Sequence, residues 1–138
     1  MRLNDITTDV VETLEPTQTL EAAVQLMRDR DIGWMPVLEK EKIVGVVTDR
    51  DIVIRGVASG MQPKTNTVGE VMTKNVLSCD IEDAAEDAAR LMEREQVRRL
   101  VVTDRIGRLV GVVSLADFAR SGDEERSSEV LERVTQPA

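Results

Sequence analysis

An internal duplication constrains this chain more than any other feature of its sequence. Moving the second half back by 65 residues (92 − 27) lays Leu91 and Met92 on Leu26 and Met27. Leu20, Ala23, Val24 and Met27 then face Ala85, Ala88, Ala89 and Met92. Both quartets keep the i, i+3, i+4, i+7 spacing of a helix with one buried face, which predicts helices over residues 19–30 and 83–96. Further on, WMPVLEKEKIVGVVTDRD aligns with RRLVVTDRIGRLVGVVSLAD, with one extra residue in the second turn and a shift of 66 (111 − 45). Two short apolar runs around a charged turn predict a β-hairpin in each half, with Gly107 of DRIG at the turn position that favours glycine. Because IVGVV and LVGVV show no alternation, strands covered on both faces are expected. A second helix follows each hairpin, at DRDIVIRGVAS and LADFARS, stopped by Gly60 and Gly122. Short strands near VVETL and NVLSC precede the first helices. The repeating unit is strand, helix, strand, strand, helix, an α/β fold written twice.

The predicted division makes residues 1–60 the first repeat, 61–74 a linker, 75–122 the second repeat and 123–138 a tail. The linker GMQPKTNTVGEVMTK opens with turn formers and closes on VGEVM, which can make a short helical turn. In the tail, Val130, Leu131 and Val134 stand at helical spacing, fit to dock on the body or on a second subunit.

Composition narrows the functional classes. The 138 residues carry 18 Lys+Arg against 26 Asp+Glu, a net charge of −8. Trp34 and Phe118 are the only aromatics, so the core must be aliphatic. There is no histidine and a single cysteine, Cys79, which excludes a His-dependent triad, a histidine metal cage and a disulfide framework. Without the commonest general acid/base near neutral pH, the chain reads as a binding module rather than an enzyme. Cys79 is expected to be a small buried hydrophobe. No stretch approaches the ~20 apolar residues of a membrane span, and MRLNDITTDVVE lacks the apolar run of a signal peptide, so a cytoplasmic location is expected. The acidic balance, with Arg98 and Arg99 as the only adjacent basic pair, argues against nucleic acid as a partner.

The chemistry concentrates where each hairpin runs into its second helix, at GVVTDRD (residues 45–51) and GVVSLAD (residues 111–117). Gly45 and Gly111, lacking a Cβ, admit either another backbone or a flat ligand. Thr48 with Asp51, and Ser114 with Asp117, have capping-box spacing with Asp in place of Glu or Gln. One reading makes them helix caps. The other gives Asp51 and Asp117 a ribose diol to hold, with the hydroxyls beside a phosphate at a helix N-terminus. Pro36 marks an edge, a bulge, or a strand with something other than a strand alongside.

Duplicated units carrying Gly, two apolar residues, Thr or Ser, two residues and Asp resemble the CBS domain pair, over about residues 3–121. The segment DIGWMPVLEKEKIVGVVTDRDIVIRGVASG is similar to the first repeat of small stand-alone bacterial two-CBS proteins. The resemblance implies two βαββα repeats packed about a pseudo-twofold axis, with clefts for an adenosine-containing ligand: AMP, ADP, ATP, NAD or S-adenosylmethionine. Carried across, Asp51 and Asp117 would hold ribose hydroxyls, and Thr48 and Ser114 would lie near ribose or phosphate. Adenine would rest against Met35, Pro36 and Val37, and against Leu100, Val101 and Val102. Arg99, and more weakly Arg50, would face phosphates, with Asp49 and Glu39 as alternative partners. Val101 stands where Pro36 stands in the first copy, a departure from the family's frequent proline. Trp34, at Arg99's place in the first copy, would stack on a base or pack at a subunit contact. The expected function is a regulatory or sensor module without catalysis, requiring no cofactor and taking an adenine nucleotide as its regulatory ligand. It would form a homodimer, with aliphatic faces near Ile52, Ile54 and Phe118 buried there or in the core, and act on a separate effector protein. A ligand-independent dimerisation or interaction scaffold is the alternative.

Overall fold

The structure, a computed structural model, describes residues 1–9, 12–120 and 134. In chain order its elements are β1 (Thr8–Asp9), α1 (Leu20–Arg30), β2 (Trp34–Glu39), β3 (Lys42–Thr48), α2 (Asp49–Asp51), α3 (Val68–Val71), β4 (Ser78–Asp80), α4 (Ala85–Glu95), β5 (Arg99–Thr103), β6 (Leu109–Ser114) and α5 (Leu115–Arg120). Helix α2 continues as a π-helical stretch, Ile52–Gly56, and a 3-10 turn, Val57–Ser59, and Gly60 at φ 80° ends it. The predicted stop at Gly122, and most of the tail with Val130 and Leu131, lie outside the described residues. Val134 is helical and buried in the core of the second repeat.

The two long helices form where the apolar spacing places them. The hydroxyl of Thr19 accepts the Ala22 N–H at 3.1 Å and starts α1. Asp31 and Gln96, 65 residues apart, end α1 and α4 in the left-handed region, with φ 53° and 57°. Ala85, Ala88, Ala89 and Met92 are all buried, as are Leu20, Ala23 and Met27. Val24 departs from its twin Ala89 and is 39% exposed. At 100° per residue it falls on one side of the stripe that Leu20, Ala23 and Met27 define.

Each hairpin is antiparallel and bulged, β2 with β3 and β5 with β6. Lys40 and Glu41 turn the first through two left-handed residues. In the second, Asp104 accepts the backbone N–H groups of Arg108 and Ile106, and Gly107 sits at φ 85°. These bonds, that from Arg108 foremost, hold the Asp104 carboxyl below its ordinary range. The expectation that IVGVV and LVGVV are covered on both faces needs correction. Strands β3 and β6 alternate buried and half-buried positions, whereas the centres of β2 and β5 are buried throughout.

The second-repeat sheet runs β1, β6, β5, β4, with β4 parallel to β5. The first repeat matches it with single bridges at the edges, Leu14 beside Val37 and Thr73 beside Val46. Pro36 explains the weaker edge near residue 14. Its counterpart Val101 donates its N–H to the Leu77 carbonyl at 3.2 Å, and proline has no such proton.

The structure divides the chain differently from the predicted boundaries at 60 and 74. The described residues from 12 to 76 form one compact unit, and residues 1–9 join those from 77 onward in the other. The segment read as a linker is structural. The Glu70 carboxylate accepts the Thr67 N–H at 3.0 Å at the start of α3, Val68 and Val71 are fully buried, and Thr73 pairs with Val46. A shift of 65 lays this segment on the N-terminus: Asp5 accepts the Arg2 N–H at 3.3 Å as Glu70 accepts that of Thr67, Leu3 and Ile6 are buried, and Thr8 pairs with Val112. The duplication therefore covers residues 1–9 and 66–74 as well, and each copy pads one sheet edge.

Gly45 and Gly111 exist for that edge. A Cβ on Gly111 would stand 2.5 Å from the Thr8 carbonyl oxygen, and one on Gly45 would stand 2.9 Å from that of Thr73. Of the two readings of these glycines, close approach of a backbone is the one found. Gly111→Val should cost about 1–3 kcal/mol in urea denaturation by forcing β1 off β6. A loss below ~0.5 kcal/mol, the range of neutral surface changes, would refute this. Among the described residues no helix is long and apolar enough to cross a membrane.

Candidate functional site

In the first repeat, strand β3 delivers Thr48 as the N-cap of α2. Its hydroxyl accepts the Asp51 N–H at 3.0 Å, and Asp51 Oδ2 accepts the Thr48 N–H at 3.0 Å. The capping reading is thus realised, and Asp51 still has a second oxygen. Among the described residues Oδ1 accepts no hydrogen bond, and the Arg55 guanidinium stands 3.9 Å from it. In the second repeat, Asp117 is the one buried charged side chain among the described residues, 4% exposed. Its Oδ2 accepts the Ser114 N–H at 2.7 Å and the Ser114 hydroxyl at 3.1 Å, and its Oδ1 accepts the Thr8 hydroxyl at 3.2 Å. Arg120 closes on the same Oδ1 as an ion pair. A buried carboxylate persists only with such partners.

Strand register shows which side chains share a face with these groups. Trp34 lies opposite Thr48 and Pro36 opposite Val46, with Thr73 beyond. Arg99 lies opposite Ser114 and Val101 opposite Val112, with Thr8 beyond. Directly paired residues project to one face of a sheet, so both repeats present the same constellation. Of the six residues expected to hold adenine, Met35, Val37, Leu100 and Val102 point the other way, into the helix-covered cores. Pro36 and Val101 remain on the site face, and both are buried.

Arg99 and Arg50 are exposed, and neither guanidinium has a partner among the described residues. Asp49, weighed as a partner for such an arginine, instead accepts the backbone N–H of Arg50. Two arginines that sequence reasoning missed stand closer. Arg55 donates to the carbonyls of Val71 and Met72 at 3.0 and 3.3 Å and to the Thr73 hydroxyl at 3.2 Å. Arg120 reaches the Thr8 hydroxyl at 3.4 Å. The signal was an Arg one helical turn after each Asp, at +4 in one copy and +3 in the other.

A cavity of about 240 Å³ opens in the second repeat, lined by Asp5, Ile6, Thr7, Thr8, Asp117 and Arg120. Whole small-molecule sites span ~300–1,000 Å³, so this one suits a ribose with a phosphate rather than a complete nucleotide.

The CBS domain family model matches residues 3–56 and 68–124, both repeats with their edge segments largely included. This chain is a tandem CBS-domain protein. It is 38% identical over 121 residues to Hypoxic response protein 1 of Mycobacterium tuberculosis, covering 87% of this chain and 84% of that one. It is 39% identical over 117 residues to the CBS domain-containing protein YhcV of Bacillus subtilis, covering 85% and 82%. The solved structure of Hypoxic Response Protein I, with two coordinated zinc ions, superposes with a TM-score of 0.78 over 88% of this chain and 98% of its own. That of CBSX2 in complex with AMP, 26% identical, gives 0.75 over 91% and 98%.

The donor set of this CBS pair does not fit zinc held in the usual way. It has no histidine, and the described residues hold no cluster of three or more metal-ligating side chains. Cys79 is buried in the second core, and desolvation, then the charges of Asp83 and Asp80, push its thiol up to about 12. It should resist alkylation by iodoacetamide at pH 8 in the folded protein and react once unfolded. Rapid labelling of the native chain would contradict its placement.

Proposed function

We propose that this CBS pair is a non-catalytic regulatory module that binds an adenosine-containing ligand at two corresponding sites, one formed around Thr48, Asp51 and Thr73, the other around Ser114, Asp117 and Thr8. The observation that carries the reading is the buried Asp117 carboxylate beside a helix start, bonded to the Thr8 hydroxyl from a different segment, with Asp51 and Thr73 at the corresponding positions of the first repeat and Arg55 between them. A helix cap needs neither the second segment nor the cavity. A ribose diol uses both, since its hydroxyls donate to a carboxylate and accept from a neighbouring hydroxyl. The AMP complex of CBSX2 supports the ligand class. Pro36 and Val101 lie on the face that would receive the base, and Arg99 and Arg50 are free to meet phosphates.

The module would act by population shift, its ligand favouring one arrangement that a separate cytoplasmic effector protein reads. We assign the homodimer contact to the second helix of the first repeat. There Val53, Ile54 and Val57 are 53%, 53% and 59% exposed, whereas Ile52 and Phe118, the other residues considered, belong to the cores. The same exposed aliphatic surface favours the alternative of a ligand-independent scaffold.

A thermal-shift panel with AMP, ADP, ATP, NAD, S-adenosylmethionine and a GTP control separates the two. A binder gains RT ln(1 + [L]/Kd), about 2.7 kcal/mol at 100 times Kd, and a scaffold gains nothing. Asp51→Ala and Asp117→Ala should each remove one site. The first costs ~1 kcal/mol as a lost cap. The second costs about 1–3 kcal/mol, because it strands the Ser114 N–H. Both leave a folded protein, and normal nucleotide binding by both would remove the assignment of the ribose carboxylates.

A further inference from the structure

The two sites are not alike in what occupies their carboxylates. In the first repeat the π-helical turn after Asp51 carries Arg55 to the end of α3, where the carbonyls of Val71 and Met72 hold it. Asp51 Oδ1 accepts no hydrogen bond among the described residues. In the second repeat Arg120 pairs with Asp117 itself, on the oxygen that also accepts the Thr8 hydroxyl. The other Asp117 oxygen is taken by Ser114. A ribose diol can therefore reach Asp117 only if Arg120 leaves. The Arg120 side chain is 67% exposed and is the only cation among the described residues that line the cavity. Asp5, the other charged lining residue, accepts the backbone N–H of Arg2.

We propose that Arg120 makes the second-repeat site selective for phosphorylated adenosine ligands, because it occupies Asp117 until a phosphate draws it off and so exposes the carboxylate to the ribose. A phosphate offers the guanidinium a bidentate partner that replaces the ion pair it gives up. A neutral nucleoside offers nothing in exchange and must compete with Arg120 for Oδ1. At Asp51 the corresponding Arg55 stands 3.9 Å from Oδ1 and is held instead by the carbonyls of Val71 and Met72, so it competes far less and the first-repeat site accepts adenosine with or without a phosphate. This inference rests on the nucleoside reading of the sites and adds to it the class of ligand and the residue that selects it.

The test compares AMP with adenosine, which differ only in the phosphate, by calorimetry on Asp51→Ala protein, so that the second-repeat site alone reports. With Arg120 present, AMP should bind at least about tenfold more tightly than adenosine, as expected for a charge-assisted hydrogen bond. Adding Arg120→Gln should weaken AMP and strengthen adenosine, bringing the two together, and Arg120→Lys should keep part of the preference. Opposite movement of the two ligands is something a merely structural arginine would not produce. An unchanged ratio in Arg120→Gln, or equal weakening of both ligands, overturns the role of Arg120 alone. Failure of the Asp51→Ala protein to bind either ligand overturns the nucleoside reading of that site together with the inference.

Discussion

Deleting residues 1–9 should unfold the second repeat while leaving the first repeat protected. The segment lies far from the second half in sequence, yet it supplies Leu3, fully buried, and Ile6, 7% exposed, to the core formed by that half. Truncating one buried aliphatic side chain costs about 2–5 kcal/mol. Losing two, with the strand that pairs β6, takes most of the roughly 5–15 kcal/mol that stabilises a domain. Hydrogen exchange is the measurement: amides of α4, β5 and β6 should lose protection while those of α1, β2 and β3 keep it. Retained protection in β5 and β6 would mean that the N-terminus decorates the sheet rather than completing it.

Phe118→Ala is the single substitution with the largest expected cost, about 3–5 kcal/mol, read as a fall in melting temperature of about 10 °C or more. The second core combines Ala85, Ala88 and Ala89 on α4 with Phe118, fully buried, on α5. The first core has Leu20 at the place of Ala85 and Ile52 at that of Phe118. The single phenylalanine fills the volume that the alanines leave, and close-packed interiors collapse poorly around such a loss. A cost below ~1.5 kcal/mol would show that the second core is loosely packed.

Much of this organisation is legible in the sequence because it is local. Helical spacing found α1 and α4, paired apolar runs found both hairpins, and Thr48 with Asp51 announced a cap that is present. The edge segments were hidden because their partners are distant: Leu3 belongs with Met92, and Thr8 with Asp117. Their own repeat was weak, since across residues 1–9 and 66–74 only Thr8 and Thr73 are identical. The arginines escaped for a different reason. Arg55 and Arg120 stand at unequal distances from their aspartates, and the π-helical turn that lets Arg55 reach Thr73 leaves no mark in composition or periodicity. Adenine contacts were placed by strand, but alternation sends Met35, Val37, Leu100 and Val102 to the opposite face from Pro36 and Val101, so side-chain direction divides a run that sequence treats as one.

The central claim is that Asp51 and Asp117 each hold an adenosine ligand. Its most direct test is calorimetric titration of AMP, with GTP as control, into the natural chain and into the doubly substituted Asp51→Ala, Asp117→Ala protein. Saturable, AMP-selective binding to the natural chain that disappears in the double variant, with its fold intact by circular dichroism, is the predicted result. Undiminished AMP binding by the double variant, or none by the natural chain at millimolar AMP, would contradict it.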